Sequence, residues 1–163
     1  DVLSQTHFYL VDQARQTGGG GVAKLIFETI TEQPFGVEGL TFVPLPVPHG
    51  ERMNVFGYRI GGFSYVSDAS DVPDSTANLI WGSDVLVLDA LRERPHRSHL
   101  NFEQAIEFAR ELRARKTYFV DMTHDVDHDA VNEELAKLRT SDGIDVELAH
   151  DGMRIEVDLG EQG

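Results

Sequence analysis

The chain has 163 residues, of which 40% are hydrophobic, so it is long enough to form one globular domain with a buried core. Acidic residues outnumber basic residues by 28 to 14, and the resulting net charge of -14 argues against binding to duplex nucleic acid or to an anionic membrane surface. The chain contains no cysteine, which excludes disulfides and thiolate nucleophiles and leaves imidazole and carboxylate groups as metal ligands.

The sequence shows no segment for membrane insertion or export. Its apolar runs are far shorter than the roughly 18 residues of a membrane-spanning helix. The first residues lack the basic region followed by an apolar region that marks a signal peptide. We therefore expect a cytoplasmic protein, with a single domain over residues 1–163.

The first half of the chain is rich in predicted strands. "VAKLIFETI" (22–30) and "GLTFVPLPV" (39–47) are extended, and the two prolines of the second segment are typical of a strand end or a sheet edge. "NVFGYRI" and "FSYVSD" flank two glycines and predict a hairpin. "STANLIWG" predicts a short helix that begins at Ser75 and ends at Gly82.

The second half alternates strands with helices. "DVLVLDAL" (84–91) is continuously apolar, as in a strand covered on both faces, and "TYFV" (117–120) predicts a further strand. Helices are predicted over 101–116, where Asn101 and Gln104 can form a capping box, and over 129–139. A hairpin with its turn at Asp151 and Gly152 is expected at the end. This order predicts an α/β or α+β layered domain.

Three potential metal ligands each follow the end of a predicted strand. His49 ends "LTFVPLPVPH", Asp68 ends "FSYVSD" and Asp121 ends "KTYFVD". If these strands are neighbours, their ends lie on one edge of the sheet, where α/β folds commonly bind ligands. Imidazole and carboxylate groups together suit zinc, manganese or iron. A hydrogen-bonded surface histidine and turn-capping aspartates are the alternative interpretation.

The stretch "VDMTHDVDHD" (120–129) is dense in acids and histidines but does not match a calcium-binding loop. Counted from Asp125, the sixth position is Ala130, where a glycine is needed, and the twelfth is Ala136, where a glutamate is needed. The stretch is therefore interpreted through its first aspartate, at the end of a strand.

Six segments, in order along nearly the whole chain, resemble metallo-β-lactamase-fold hydrolases of the PhnP-like group, which includes phosphoribosyl cyclic phosphate phosphodiesterase. They are "GGGGVAKLIFETI", "LTFVPLPVPHG", "GYRIGGFSYVSDAS", "DVLVLDALRERPHRSHLNFEQA", "TYFVDMTHDVDH" and "LAHDGMRIEV". The resemblance implies an αββα sandwich that is incomplete in its N-terminal half. The family motif His-x-His-x-Asp-His should precede these segments, and His7, the only earlier histidine, does not match it. We therefore expect the chain to be the C-terminal portion of a longer domain.

The resemblance implies a site for two divalent metal ions, zinc or manganese and possibly iron. His49 corresponds to a metal-binding histidine and Asp68 to the carboxylate that bridges both metals. Asp121 occupies the position of the family's last histidine ligand, in a string of the type T-H-x-S-H-D, and His124 occupies that of the second histidine. Either Asp121 replaces the histidine, or His124 binds the metal, or that metal is held weakly.

The resemblance also implies catalytic roles. A metal-bound hydroxide, held in part by Asp68, would attack phosphorus, and His99 would protonate the leaving oxygen, with His96 as the substitute candidate. A surface position ahead of the helix is the alternative for His99. His128 is expected either to orient the loop that faces the metals or simply to lead into the next helix.

The sequence therefore predicts a metal-dependent hydrolase of small cyclic or nucleotide-like phosphodiesters. A hydrolase of thioester or carboxylic substrates with the same fold is one alternative, because a fold does not fix a substrate. A non-catalytic acidic module that binds a metal or a protein is another. The expected partner is a small-molecule phosphodiester, and no membrane partner is expected. The acidic charge disfavours nucleic acid without excluding it, since a metal ion can supply local positive charge. A homodimer is left open.

Overall fold

The computed structural model describes residues 27–159 of the chain. The chain divides into two compact units, residues 1–30 and residues 31–163, and the elements described below all belong to the second unit. Among the described residues, no helix is long and apolar enough to cross a membrane.

Within the described residues, the second unit is built on a seven-stranded sheet in which the spatial order of the strands follows the chain. The strands are β1 (Phe35–Val37), β2 (Leu40–Pro48), β3 (Asn54–Ile60), β4 (Phe63–Val66), β5 (Val85–Asp89), β6 (Lys116–Val120) and β7 (Val146–Leu148). The helices of the described part are α1 (Asp74–Ile80), α2 (Phe102–Leu112) and α3 (His128–Ser141). The α/β class is confirmed.

Strand direction brings several strand ends to one edge of the sheet. Strands β1 to β4 pair antiparallel, whereas β4, β5, β6 and β7 pair parallel. Two antiparallel steps separate β2 from β4, so β2 runs in the same direction as the parallel strands. The carboxyl ends of β2, β4, β5 and β6 therefore lie on one edge, which we call the site edge.

The core lies between the sheet and its helices. Strand β5 is buried along its whole length, as its continuous apolar sequence predicts for a strand with parallel neighbours on both sides. Fully buried large side chains come from the strands and from the loops and helices that cover them: Leu45, Val66, Leu86, Leu88, Leu100, Leu112, Phe119 and Leu148. This packing fixes the positions of the strand ends.

Two of the three prolines of β2 lie where one side of that strand has no partner strand among the described residues. β1 pairs only with Leu40 to Phe42, so beyond that point β2 has β3 as its one partner within the described residues. Pro44 and Pro46 lie in the part that pairs only with β3, where a missing N–H group on the other side breaks no ladder hydrogen bond. The predicted position at a sheet edge holds for this part of β2.

Helix α2 begins with the predicted capping box. The side chain of Asn101 accepts a hydrogen bond from the backbone N–H of Gln104 at 2.9 Å, and the side chain of Gln104 accepts one from the backbone N–H of Asn101 at 3.1 Å. Both bonds satisfy N–H groups that have no partner within the helix. The cap also fixes the end of the loop that precedes the helix.

Replacement of Asn101 by alanine is expected to lower the free energy of unfolding by about 1 kcal/mol, because it removes this cap. Urea unfolding followed by circular dichroism measures the change. Glu107→Ala, an exposed position of the same helix, is the matched control and should change stability by less than about 0.5 kcal/mol. Equal effects of the two substitutions would show that the capping box does not stabilise the helix.

Two sequence predictions need correction, and a third falls mostly outside the described residues. Helix α1 begins at Asp74 after Pro73, whose side chain makes no capping bond, so Ser75 is not the cap. The turn at Asp151 and Gly152 forms, but among the described residues no pairing joins β7 to 153–157, so the predicted hairpin is wrong. The strand predicted over 22–30 lies mostly outside the described residues, and its last four residues form no strand.

Candidate metal centre

The three strand-end residues predicted from the sequence all lie at the site edge. His49 directly follows β2, Asp68 follows β4 by two residues, and Asp121 directly follows β6. Asp89, which the sequence analysis did not select, is the last residue of β5, between β4 and β6 in the sheet. Strands β2, β4, β5 and β6, which run in the same direction, therefore each place one acidic or imidazole side chain at the site edge.

Backbone hydrogen bonds tie the loops of the site edge together. They connect the loop after β2 to the loop after β4, the loop after β4 to the loop before α2, and the loop after β5 to the loop after β6. The bonds are Ser70 N to Pro48 O (2.8 Å), Leu100 N to Ala69 O (2.8 Å) and Thr123 N to Leu91 O (2.9 Å). The candidate ligands are therefore held on a fixed framework rather than on free loops.

Potential ligand atoms form two overlapping groups. His49, Asp68 and His99 each offer an atom within 4.8 Å of the other two, and Asp89, His99 and Asp121 do the same. His99 belongs to both groups, and its ring lies 4.9 Å from that of His49 between centroids. The site edge therefore gathers five side chains that can hold a cation or move a proton.

Two observations show that this donor set fits a divalent cation. The Nδ1 atom of His49 is buried without a hydrogen-bond partner among the described residues, so one imidazole nitrogen is available as a ligand. Burial raises the pKa of Asp121, and repulsion from the nearby Asp68 carboxylate adds to the rise. A divalent cation would relieve that repulsion, and nitrogen with oxygen donors suits zinc, manganese or iron.

Asp68 and Asp121 both adopt left-handed backbone conformations. Their φ angles are 55° and 68°, in a region that side chains other than glycine seldom occupy and that aspartate tolerates better than most. Such conformations cost free energy and occur preferentially at functional sites. Two of them, just past the ends of the parallel strands β4 and β6 on either side of β5, indicate that the sheet edge is shaped to present these carboxylates.

The surroundings of Asp121 raise the pKa of its carboxyl group above the ordinary value. Removal from water raises the pKa of its carboxyl group, and the nearby Asp68 charge adds to this rise, whereas a hydrogen bond from the backbone of Asp68 and the proximity of His99 lower it. The net direction is upward. A bound cation would reverse this balance, since a positive charge stabilises the carboxylate.

Asp89 and His99 form a hydrogen-bonded pair. The Asp89 side chain is fully buried, and its Oδ2 atom lies 2.9 Å from His99 Nδ1 and accepts a hydrogen bond of 2.8 Å from the Ala69 backbone N–H. Burial raises the pKa of Asp89 to about 6, although the two partners stabilise its charge. With Nδ1 directed at Asp89, the other nitrogen, Nε2, lies 3.9 Å from Asp68 Oδ1 and faces the site.

The other histidines singled out by sequence lie outside the two ligand groups. His124 is exposed, and its charge acts on Asp125. His128 is the first residue of α3, and its Nε2 atom lies 3.1 Å from the carbonyl oxygen of Ala149. The His96 ring lies 5.2 Å from that of His99, and burial together with the nearby His99 lowers its pKa. Of the two candidates after β6, the geometry favours Asp121 over His124 as the ligand.

Replacement of Asp121 by histidine is expected to increase the affinity for zinc by about tenfold, a typical size for the effect on metal affinity of a substitution close to a metal. Histidine restores the nitrogen donor found at this position in the resembling family and removes the repulsion with Asp68. Competition with a chelating dye measures the affinity. His124→Ala is the comparison, because it should leave zinc affinity unchanged; the opposite pattern would make His124 the ligand.

Comparisons with known protein families and with solved structures indicate the same family. The beta-lactamase superfamily domain matches residues 3–122. The fold is similar to a crystal structure of a new diphosphatase from the PhnP family, with 31% identity and a TM-score of 0.81 over 97% of this chain. It is also similar to the metallo-beta-lactamase fold protein YhfI from Bacillus subtilis, with 21% identity and a TM-score of 0.64 over 78% of this chain.

The chain spans only part of the proteins that it matches. It covers 55% of the PhnP-family diphosphatase and 54% of YhfI. A curated relative, an octanoyltransferase from Porphyromonas gingivalis (strain ATCC BAA-308 / W83), is 26% identical over 79% of this chain, but the match covers 27% of that protein. Because the match covers only about a quarter of the octanoyltransferase, it does not assign octanoyltransferase activity to this chain.

Proposed function

Because this chain belongs to the beta-lactamase superfamily and has a metallo-β-lactamase fold of the PhnP-like kind, we propose that the protein containing it is a metal-dependent hydrolase of small phosphodiesters. The observation that carries the proposal is the convergence of His49, Asp68, Asp121 and His99 at the site edge. The likeness to a PhnP-family diphosphatase supports phosphoryl chemistry over other reactions.

His49, Asp68 and Asp121 are the residues of this chain that would hold divalent metal ions. One imidazole and two carboxylates would supply part of the ligands for two such ions. When bound, such ions lower the pKa of water and neutralise charge on phosphoryl oxygens. Zinc and manganese both suit this mixture of nitrogen and oxygen donors.

His99 would protonate the oxygen that leaves phosphorus. The hydrogen bond to Asp89 occupies Nδ1, so Nε2 is the atom that faces the site and can carry the transferred proton. An alkoxide is a poor leaving group, and a proton placed at this oxygen in the transition state typically accelerates such a step by about 10² to 10⁴.

Asp89 acts on the reaction through His99. Its buried carboxylate fixes the ring orientation and the position of the Nδ1 proton, and its negative charge stabilises the protonated ring. The backbone N–H of Ala69 holds the same carboxylate oxygen, which keeps Asp89 in place. Asp89 is therefore a positioning residue in this proposal.

The proposal is tested with the complete protein loaded with zinc or with manganese. Hydrolysis of bis(p-nitrophenyl) phosphate and of a 2′,3′-cyclic nucleotide is expected, together with its loss on chelation and its recovery when metal is added back. p-Nitrophenyl acetate and an acyl thioester are assayed in parallel. Turnover of the acyl substrates alone would move the protein to the carboxylic or thioester class, and no metal-dependent turnover would favour a non-catalytic module.

A further inference from the structure

A groove of about 640 Å³ opens between helices α2 and α3, next to the loop after β5. Its volume lies within the range of small-molecule sites, roughly 300–1,000 Å³. The apolar side chains that line it come from the two helices and from the loop before α3: Phe102, Ile106, Val126, Val131, Leu135 and Leu138. The proposed hydrolysis gives none of them a role, and the groove shares no residue with the two ligand groups of the site edge.

The walls of this groove are held by the hydrophobic core. Phe102 and Leu135 are buried, whereas Ile106, Val131 and Leu138 are partly buried and pack against the core. The partly buried side chains therefore keep some apolar surface in contact with water. Removal of that surface from water by the apolar body of a ligand is favourable, and it requires no movement of either helix.

One cation that lines the groove, Arg92, has a donor without a partner. Its Nε atom is buried and has no hydrogen-bond partner among the described residues. The backbone of Arg92 is fixed, because its carbonyl oxygen accepts a hydrogen bond of 3.0 Å from the Phe102 N–H. A buried donor without an acceptor costs free energy, and a guanidinium group remains charged in proteins. A negatively charged acceptor from outside the chain would remove this cost.

The acids around the groove do not supply that acceptor. Three of the four already have partners of their own, and the fourth, Glu93, is exposed. The three pairs are Asp125 with Arg94 (3.3 Å), Asp127 with the Ala130 N–H (3.1 Å) and Glu134 with Lys137 (2.5 Å). The buried charge that lacks a partner in the groove is therefore positive, which favours an anionic group at Arg92.

We infer that the groove binds a small amphipathic carboxylate, with its carboxylate at Arg92 and its apolar body between α2 and α3. Guanidinium and carboxylate groups form charge-assisted hydrogen bonds with matching geometry. An aliphatic or aromatic carboxylic acid satisfies both the charge and the apolar walls, whereas an inorganic anion satisfies the charge alone. The site is separate from the metal centre, and it does not depend on the proposed hydrolase function.

Titration of the complete protein with 4-phenylbutanoate, followed by NMR of its methyl groups, tests the inference. Shifts are expected for Ile106, Val131 and Leu138, which line the groove. 4-Phenylbutanamide has the same apolar body without the charge, and acetate has the charge without that body, so each should bind at least about tenfold more weakly. Arg92→Gln should weaken binding of 4-phenylbutanoate by about tenfold and leave binding of the amide unchanged. Arg92→Lys should recover part of the loss.

The matched control is Arg94→Gln, which removes the same charge from an exposed arginine of the same groove that is already paired with Asp125. It should change the affinity for 4-phenylbutanoate by less than about twofold. Equal binding of the acid and its amide would overturn the inference, as would an affinity that Arg92→Gln leaves unchanged. Binding of 4-phenylbutanoate that requires added zinc and shifts no methyl group of the groove would also overturn it, because the carboxylate would then lie at the metal centre.

Discussion

Replacement of Asp68 by alanine is expected to remove bound metal and to lower kcat/KM for bis(p-nitrophenyl) phosphate by about 10³-fold or more, since metal ions contribute several kcal/mol to such reactions. Asp68 contributes to the same ligand group as His49 and His99, and its backbone is held in the left-handed conformation that presents its carboxylate. Inductively coupled plasma mass spectrometry measures the metal content, and steady-state kinetics measure kcat/KM.

Two further variants separate lost ligation from lost structure. Asp68→Asn keeps an oxygen and a residue type that tolerates the left-handed backbone, but it removes the charge, so it should retain more stability than alanine while still losing metal. Asp71→Ala, an exposed carboxylate in the same loop that bonds to the adjacent Val72 N–H, should leave metal content and turnover unchanged. Undiminished turnover in Asp68→Ala would exclude the proposed role of this residue.

Replacement of His99 by glutamine is expected to slow hydrolysis of a 2′,3′-cyclic nucleotide by about 10² to 10⁴, the usual contribution of a general acid. The nitrophenolate that leaves bis(p-nitrophenyl) phosphate is a weak base and needs little protonation, so that substrate should lose much less. The measured quantity is the ratio of the two kcat losses. A purely structural role for His99 would slow both substrates equally.

The Asp89→Asn variant tests the same proton transfer through the residue that is hydrogen-bonded to His99. Its amide keeps the size of the buried side chain but loses the charge that stabilises the protonated His99 ring. We expect the same selective loss for the cyclic nucleotide, by about 10- to 100-fold, as for residues that act through a neighbour. A loss of the same size in both substrates would assign Asp89 to folding instead.

The part of the site that could be predicted from the sequence is the part set by strand ends. His49, Asp68 and Asp121 each follow an apolar run, and parallel strands carry such positions to one edge of a sheet. Asp89 also lies at the end of a strand. It was missed because the continuous apolar character of "DVLVLDAL" was interpreted only as a sign of a buried strand. An ionisable residue at the end of a fully buried strand is the signal that would have revealed it, because such a group requires a partner.

The fold followed local sequence wherever one physical cause was dominant. The capping box at Asn101, the glycine turn after Ile60 and the buried strand β5 all formed as expected. The terminal hairpin did not, since alternation in "MRIEV" specifies an extended segment but not the strand that it pairs with.

The most direct test is the position of a bound metal. Crystals of the complete protein grown with zinc or with manganese should give an anomalous scattering peak about 2.0–2.2 Å from a nitrogen of His49 and an oxygen of Asp68, the usual ligand distances for zinc. A second peak beside Asp121 is expected. Peaks at His124, at His128 or at His150 with none at His49 and Asp68 would contradict the metal centre described at the site edge.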